Sequence, residues 1–211
     1  MLPDLWRMAD RRVRPAPVSA AERPADRDEV TALLAGIDHH VHADRWFHAS
    51  NVLVEGERLT LARLRASHVN APKVGLFAHV AWELLLDGAL LRREGLEPTL
   101  HALRHGFAAA SGEPADRAAS LHHFDRAGRT PSERTAFDAG MGRLFTQIAR
   151  GPWIAGYQQG GGIALRIEGV RVRLGFDRFS VADRGRLASV CDALGDHADA
   201  ALVQVLGQAC R

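Results

Sequence analysis

The sequence feature that most constrains the fold is the helical spacing of apolar residues from about Asp28 onwards. Ala, Leu and Arg dominate this region, β-branched runs are few, and apolar side chains recur with the period of an α-helix. Breaks in the pattern divide the region into predicted helices over 28–49, 56–69, 72–94, 96–110, 114–127, 131–150, 152–168 and 178–209. The sequence therefore predicts an all-α fold.

The predicted domain is a single helical bundle over residues 1–211, in which 1–27 form an N-terminal segment and a Pro-rich loop. Asn70 is a plausible cap for the third helix, with Pro72 in its first turn and Gly95 near its end. The stretch RIEGVRVRLGF alone alternates like a strand, and it is not predicted to form one.

Charge and cysteine content exclude several classes of protein. The formal net charge is +2, Lys73 is the single lysine, and no block of like charge suggests a nucleic-acid-binding surface. Cys191 and Cys210 have no metal-type spacing, so neither a disulfide framework nor a zinc motif is expected. With no secretory signal and no apolar run near the ~20 residues of a membrane span, we expect a cytoplasmic protein without a membrane partner. The apolar face of the last helix could belong to the core or form the interface of a homodimer.

The segment GIDHHVHADRWFH, residues 36–48, carries four histidines and two aspartates. Residues four apart on a helix share a face, and His40, Asp44 and His48 have this spacing. His39 and His42 fall on other faces. The sequence thus predicts one polar stripe of three side chains.

The helix predicted over 72–94 repeats the pattern with His79, Glu83 and Asp87, in the very apolar setting LFAHVAWELLLDGALL. A helix this apolar is expected to be central, where ionisable groups are costly unless they are paired, bind an ion or face a wet cleft. Each single pair could be an ordinary hydrogen bond between successive turns. Two such stripes together favour convergence on a divalent ion, and imidazole plus carboxylate suits Mn²⁺, Fe²⁺ or Zn²⁺, with Mg²⁺ a further candidate.

Other histidines and the glycine run have simpler interpretations. The remaining histidines are expected to be exposed or to have structural partners: His39, His42, His68, His101, His105, His122, His123 and His197. The run QQGGGIALR lacks the Gly-Lys-Ser/Thr ending of a phosphate-binding loop, and close helix packing or a bend explains it better.

The segments GIDHHVHADRWFHAS and FAHVAWELLLDGALL, with LPDL upstream, resemble the acyl carrier protein phosphodiesterase family and its bacterial relatives. That family is all-α and related to the HD-domain metal-dependent phosphohydrolases. Its members remove the phosphopantetheine arm from acyl carrier protein with the help of a divalent cation. The resemblance therefore implies an HD-domain-like fold, a manganese-type metal site and a carrier protein or another phosphate-containing molecule as substrate.

The resemblance also implies residue roles. Asp4 matches the first acidic residue of the family pattern, and His40 and Asp44 match its His-x₃-Asp pair. His79 and Glu83 fall where the family has acidic residues. In GGIALR, Arg166 matches an arginine that could hold phosphate.

Two departures from the family pattern bear on the substrate. Leu84 stands where the family has a histidine, and His48 stands where it tends to have an aspartate. The family also carries an upstream segment with a histidine, and a native start upstream of Met1 would explain why that segment is missing from this sequence. The metal site can persist while the substrate differs.

The leading hypothesis is a metal-dependent phosphoesterase. Its metal ligands would be Asp4, His40, Asp44, His79 and Glu83, and Asp44, His48, Asp87 and Arg166 would serve catalysis. Either His48 or Asp87 would orient a ligand or relay a proton, and Arg166 would offset phosphate charge. The alternative is a non-catalytic helical protein, with a structural metal site, a buried hydrogen-bonded network or a surface that binds a carrier protein.

Overall fold

The computed structural model describes residues 6, 8–10, 28–69, 71–109, 118–119, 130–150 and 153–209. Their main elements are α1 (Asp28–His48), α2 (Asn51–Ala66), α3 (Val74–Glu94), α4 (Leu96–Ala109), α5 (Pro131–Arg150), a 3₁₀ helix (Trp153–Gln158), α6 (Gly160–Arg173), α7 (Val181–Ala193) and α8 (Gly195–Ala209). These residues contain no strand, which confirms the all-α prediction. An HD-domain-like arrangement stays a prediction.

Two helix starts were placed wrongly from the sequence. Helix α2 begins at Asn51 rather than 56, because the Ser50 hydroxyl caps it and accepts a hydrogen bond from the Leu53 amide at 3.2 Å. Helix α3 begins at Val74, after Lys73 adopts a left-handed conformation with φ of 59°. Pro72 therefore lies in the preceding turn, and Asn70 lies outside the described residues.

The last two predicted helices are each divided. The segment predicted as one helix over 152–168 is a 3₁₀ helix followed, after Gln159, by α6. Helix α6 runs on to Arg173, so most of RIEGVRVRLGF is helical. The segment predicted over 178–209 is broken at Leu194 into α7 and α8. Most of the helix predicted over 114–127 lies outside the described residues.

The chain divides into two compact units. Unit 1 contains residues 1–46 and 101–151, and unit 2 contains residues 47–100 and 152–211. Helix α1 passes from unit 1 into unit 2 after Trp46, and α4 passes back after Leu100. The prediction of a single domain stays a prediction.

The core of unit 1 includes an N-terminal anchor. Trp6 is only 1% exposed and packs in one apolar cluster with Val30, Leu34 and Ile37 of α1. Burial of an aromatic side chain of this size offsets the fraying expected near a chain end. Trp6 is therefore the side chain that can anchor this segment. Asp4, the ligand that it would hold in place, lies outside the described residues.

Helix α3 is the central helix of unit 2, as its apolar sequence predicted. It packs against α2, the 3₁₀ helix, α6 and α8, and it contributes the fully buried Phe77, Ala81 and Leu85 to the core. By length and a mean hydropathy of 1.5, α3 could also cross a membrane, which corrects the statement that no segment approaches such a span. Half of its most apolar window is buried inside the protein, and core helices pass the same test.

A very close approach sets the register between α2 and α3. A Cβ atom on Gly56 would lie 1.8 Å from the Trp82 ring, so only glycine leaves room for the indole. Trp82 is buried there and donates from Nε1 to the Val52 carbonyl oxygen at 3.1 Å. Hydrogen bonding of a buried indole N–H is the arrangement expected for tryptophan in a core. This contact brings the polar residues beside Gly56 and Trp82 together.

Candidate metal centre

Three metal-capable side chains meet at the junction of α1 and α3. The Nε2 atom of His48 lies 3.6 Å from Oε1 of Glu83, and Nε2 of His79 lies 3.3 Å from the same oxygen. One potential ligand atom from each residue lies within 4.8 Å of the other two. Among the described residues, this is the one group of three such side chains. We call it the His48/His79/Glu83 cluster.

These separations suit a shared ion. Ligands of a tetrahedral zinc ion lie about 3.3 Å apart, because Zn–N and Zn–O bonds are about 2.0 Å long. The two distances to Glu83 are close to that value. The His48 side chain is 38% exposed, so a small rotation could aim its nitrogen at the ion. The separations are therefore compatible with three ligands of one ion.

A fourth residue, Glu57 of α2, contacts the second ring nitrogen of His79. Its Oε2 lies 3.1 Å from Nδ1 of His79, with hydrogen-bond geometry. A hydrogen on Nδ1 donated to this carboxylate leaves the lone pair of Nε2 directed toward the Glu83 side. A lone pair and a carboxylate oxygen 3.3 Å apart repel unless a positive centre lies between them. That centre is either a second proton on His79 or a cation.

The stacking of the two histidine rings limits how many of them can be protonated at once. His48 and His79 stack with centroids 5.2 Å apart and planes 12° from parallel. Two protonated imidazoles stacked at this distance repel each other, as like charges do. One cation accepting both neutral rings removes that repulsion and still neutralises Glu83. The arrangement therefore disfavours two imidazolium ions. It accommodates either a metal ion or one protonated His79 between the two carboxylates.

The cluster opens to solvent. The His79 and Glu83 side chains are 25% and 34% exposed, and His48 is more exposed than either. Structural zinc sites are closed by four protein ligands, whereas catalytic sites keep a position for water or substrate. Three accessible side chains match the second kind.

One turn beyond Glu83, Asp87 lies in a distinct electrostatic setting. Desolvation by the surrounding protein, and then the charge of Glu83, raise the pKa of Asp87 from 3.8 to about 6. Desolvation also raises the pKa of Tyr157 to about 12, while Arg166 lowers it and Asp87 raises it. The positions of Asp87, Tyr157 and Arg166 thus bring an acid, a hydroxyl and a cation within electrostatic range of one another. Tyr157 retains its proton at neutral pH and can donate a hydrogen bond.

The close packing of α3 on the 3₁₀ helix places Tyr157 near Asp87. A Cβ atom on Gly88 would lie 2.1 Å from the Tyr157 carbonyl oxygen, so the backbone of the 3₁₀ helix lies directly on α3. Asp87 is the residue before Gly88, and Arg166 follows on α6, which also packs on the 3₁₀ helix. A glycine at position 88 is therefore what allows the tyrosine to reach this part of the site.

The raised pKa of Asp87 makes a prediction about stability in the metal-free protein. The folded state disfavours the ionised carboxylate, so wild-type stability is highest below pH 4 for this group and falls as pH rises through about 6. A pKa displacement of this size corresponds to about 3 kcal/mol for a fully buried group. Asp87 is exposed to solvent although its carboxyl is closely surrounded by protein, so screening reduces the effect and we expect about 1 kcal/mol. Asp87→Asn should therefore raise the melting temperature by about 2–4 °C at pH 8 and leave it nearly unchanged at pH 4. Thermal scans with a chelator present measure this, and a difference that did not vary with pH would contradict it.

The other sequence-predicted ligands are Asp4, His40 and Asp44. Asp4 is outside the described residues. His40 and Asp44 belong to unit 1, whereas His79 and Glu83 belong to unit 2, so their convergence stays a prediction. Helix α1 does include all three positions of the first stripe. His39 and His42 are exposed, as expected for side chains off the stripe.

Sequence reasoning expected His48 to relay a proton or orient a ligand, and it did not find Glu57 or Tyr157. The structure places His48 in the cluster, 3.6 Å from Glu83, and its role stays a prediction. A signal for Tyr157 was present, since it is the only tyrosine and precedes the glycine run. Glu57 had no comparable signal, because its partner His79 is 22 residues away.

The chain matches no protein-family model, no curated protein and no solved structure. The resemblance to the acyl carrier protein phosphodiesterase family therefore stays an interpretation of its motifs. Support for a function comes from the cluster itself.

Proposed function

We propose that the His48/His79/Glu83 cluster binds a divalent cation and that the protein is a metal-dependent phosphoesterase. The observation that carries this proposal is the approach of two histidine nitrogens to one carboxylate oxygen, at 3.6 and 3.3 Å, in a solvent-accessible position. Two imidazoles and a carboxylate suit Zn²⁺, Mn²⁺ and Fe²⁺, and such a three-ligand set is typical of catalytic sites.

A divalent ion bound here would supply Lewis-acid activation of a water molecule and of the phosphoryl group. Around it, the chain supplies groups with separate tasks. Arg166 offers a fixed positive charge for phosphate oxygens, and the protonated Tyr157 offers a hydrogen-bond donor. Asp87 titrates near neutral pH, where a side chain can transfer protons efficiently.

The substrate proposal is a phosphodiester, and the family resemblance suggests the phosphopantetheine linkage of acyl carrier protein. Fold and motif resemblance do not transfer a substrate by themselves. The proposal therefore separates into metal binding, general phosphodiester hydrolysis and carrier-protein specificity, which can be tested in that order.

The test begins with metal-stripped protein. We expect it to bind Mn²⁺ or Zn²⁺ and to hydrolyse bis(p-nitrophenyl) phosphate only after metal is restored. Glu83→Gln keeps the side-chain size and removes the charge, and should lower turnover by at least about 100-fold. Glu94→Gln, at the exposed end of the same helix, serves as the matched control and should leave turnover unchanged.

Hydrolysis that persisted in excess chelator would overturn the metal-dependent mechanism. Metal binding without hydrolysis of that diester or of phosphopantetheinyl carrier protein would instead support the structural-metal alternative. Protein that bound no metal would support the hydrogen-bonded network, with His79 held between Glu57 and Glu83.

A further inference from the structure

Glu57 lies outside the set of residues that would touch the ion, yet it makes a side-chain hydrogen bond with His79. The two atoms, Oε2 of Glu57 and Nδ1 of His79, are 3.1 Å apart. Glu57 is 39% exposed, and an ordinary surface ion pair between such groups contributes little to stability. Its position behind a candidate ligand points to another role.

The packing of α2 on α3 determines this pairing. Glu57 directly follows Gly56, over which the Trp82 indole lies, and His79 precedes Trp82 by three residues. The indole also donates to the Val52 carbonyl oxygen at 3.1 Å. The buried contact restrains the two helices, so the Glu57 carboxylate remains opposite the His79 ring.

The chemical consequence concerns which ring nitrogen carries hydrogen. In a neutral histidine, hydrogen on Nδ1 leaves Nε2 as the metal-binding atom. Nε2 of His79 is the nitrogen that lies 3.3 Å from Glu83. Histidine ligands in metal sites generally donate their second ring N–H to a carboxylate, a carbonyl or water, and this bond orients the ring and strengthens its donation to the metal.

We propose that Glu57 is a positioning residue: it holds His79 in the tautomer and orientation that direct Nε2 toward a divalent ion shared with Glu83 and His48. This inference depends on the proposed metal site. The inference gives α2 a role in metal affinity, although α2 carries neither of the two predicted stripes of metal-capable residues.

The experiment compares Mn²⁺ and Zn²⁺ affinity by calorimetry in wild type, Glu57→Gln and Glu55→Gln. Glutamine keeps the length of the side chain but removes the charge, so Glu57→Gln should raise the Kd about 10–100-fold. Glu55→Gln is the matched control, since Glu55 is exposed on the same helix, and its Kd should equal that of wild type. The melting temperature of all three metal-free proteins should agree within about 2 °C, because exposed ion pairs contribute little.

A second readout does not depend on metal. Nitrogen-15 spectra of the His79 ring in metal-free protein at pH 8 should show hydrogen on Nδ1 in wild type and a mixture of tautomers in Glu57→Gln. If wild type bound no metal, the proposed function would fail, and the tautomer result would still show whether Glu57 orients the ring. If wild type bound metal while Glu57→Gln matched it in both Kd and tautomer, the positioning role would be overturned and the metal site would stand.

Discussion

Replacing His79 by alanine is expected to raise the Kd for Mn²⁺ or Zn²⁺ by at least about 100-fold, since loss of a direct ligand should exceed the 10–100-fold effect of losing its outer partner. His79 contacts both carboxylates, with Nδ1 3.1 Å from Glu57 and Nε2 3.3 Å from Glu83. Without it, the remaining His48 and Glu83 supply two ligand atoms, fewer than the three protein ligands of catalytic zinc sites. Calorimetry or competition with a chromogenic chelator measures the loss.

The controls are two histidines that the sequence assigned to other faces of α1. His39→Ala and His42→Ala remove exposed imidazoles and should leave the Kd within about twofold of wild type. Equal losses in all three variants would show that metal binds to scattered surface histidines rather than to the cluster. A Kd unchanged by His79→Ala would exclude His79 as a ligand.

The second large effect is structural. Gly56→Ala is expected to lower the free energy of unfolding by about 3 kcal/mol or more, at the upper end of the effects of overpacking. The added Cβ would lie 1.8 Å from the Trp82 ring, far inside contact distance. Trp82 cannot move away easily, because it is buried and its Nε1 donates to the Val52 carbonyl oxygen. The two helices must therefore separate or the indole must leave its place.

Urea unfolding followed by circular dichroism measures the change. Gly185→Ala is the matched control, because a Cβ on this residue of α7 would meet nothing within 4 Å. Alanine there should stabilise the protein slightly, by about 0.5–1 kcal/mol, since glycine is unfavourable in a helix interior. Equal unfolding free energies for wild type and Gly56→Ala would contradict the close packing of Trp82 on α2.

Gly56→Ala also connects stability with the site. A displacement of α2 from α3 would carry Glu57 away from His79, although neither side chain is altered. Stability and metal affinity are coupled because the contact between Gly56 and Trp82 sets the register of α2 on α3. A folded variant at low temperature should therefore have weaker metal affinity than wild type.

The sequence alone determined the helical class and the pairing of two of the three cluster residues, His79 and Glu83. Apolar spacing along α3 predicted a central helix, and the interval of four residues predicted that His79 and Glu83 share a face. These are short-range properties, because helical geometry follows from local hydrogen bonds between residues four apart. The same rule placed His48 on its stripe, but it could not say which element that stripe would meet.

Tertiary structure alone decided which side chains meet. The His48 approach to Glu83 and the pairing of Glu57 with His79 join residues 35 and 22 positions apart, and both lie in unit 2. His48 belongs to unit 2, whereas His40 and Asp44, on the same helix, belong to unit 1. The contact between Glu57 and His79 depends on the packing of the Trp82 indole over Gly56. This steric fit joins distant segments of the chain, and no local sequence pattern encodes it.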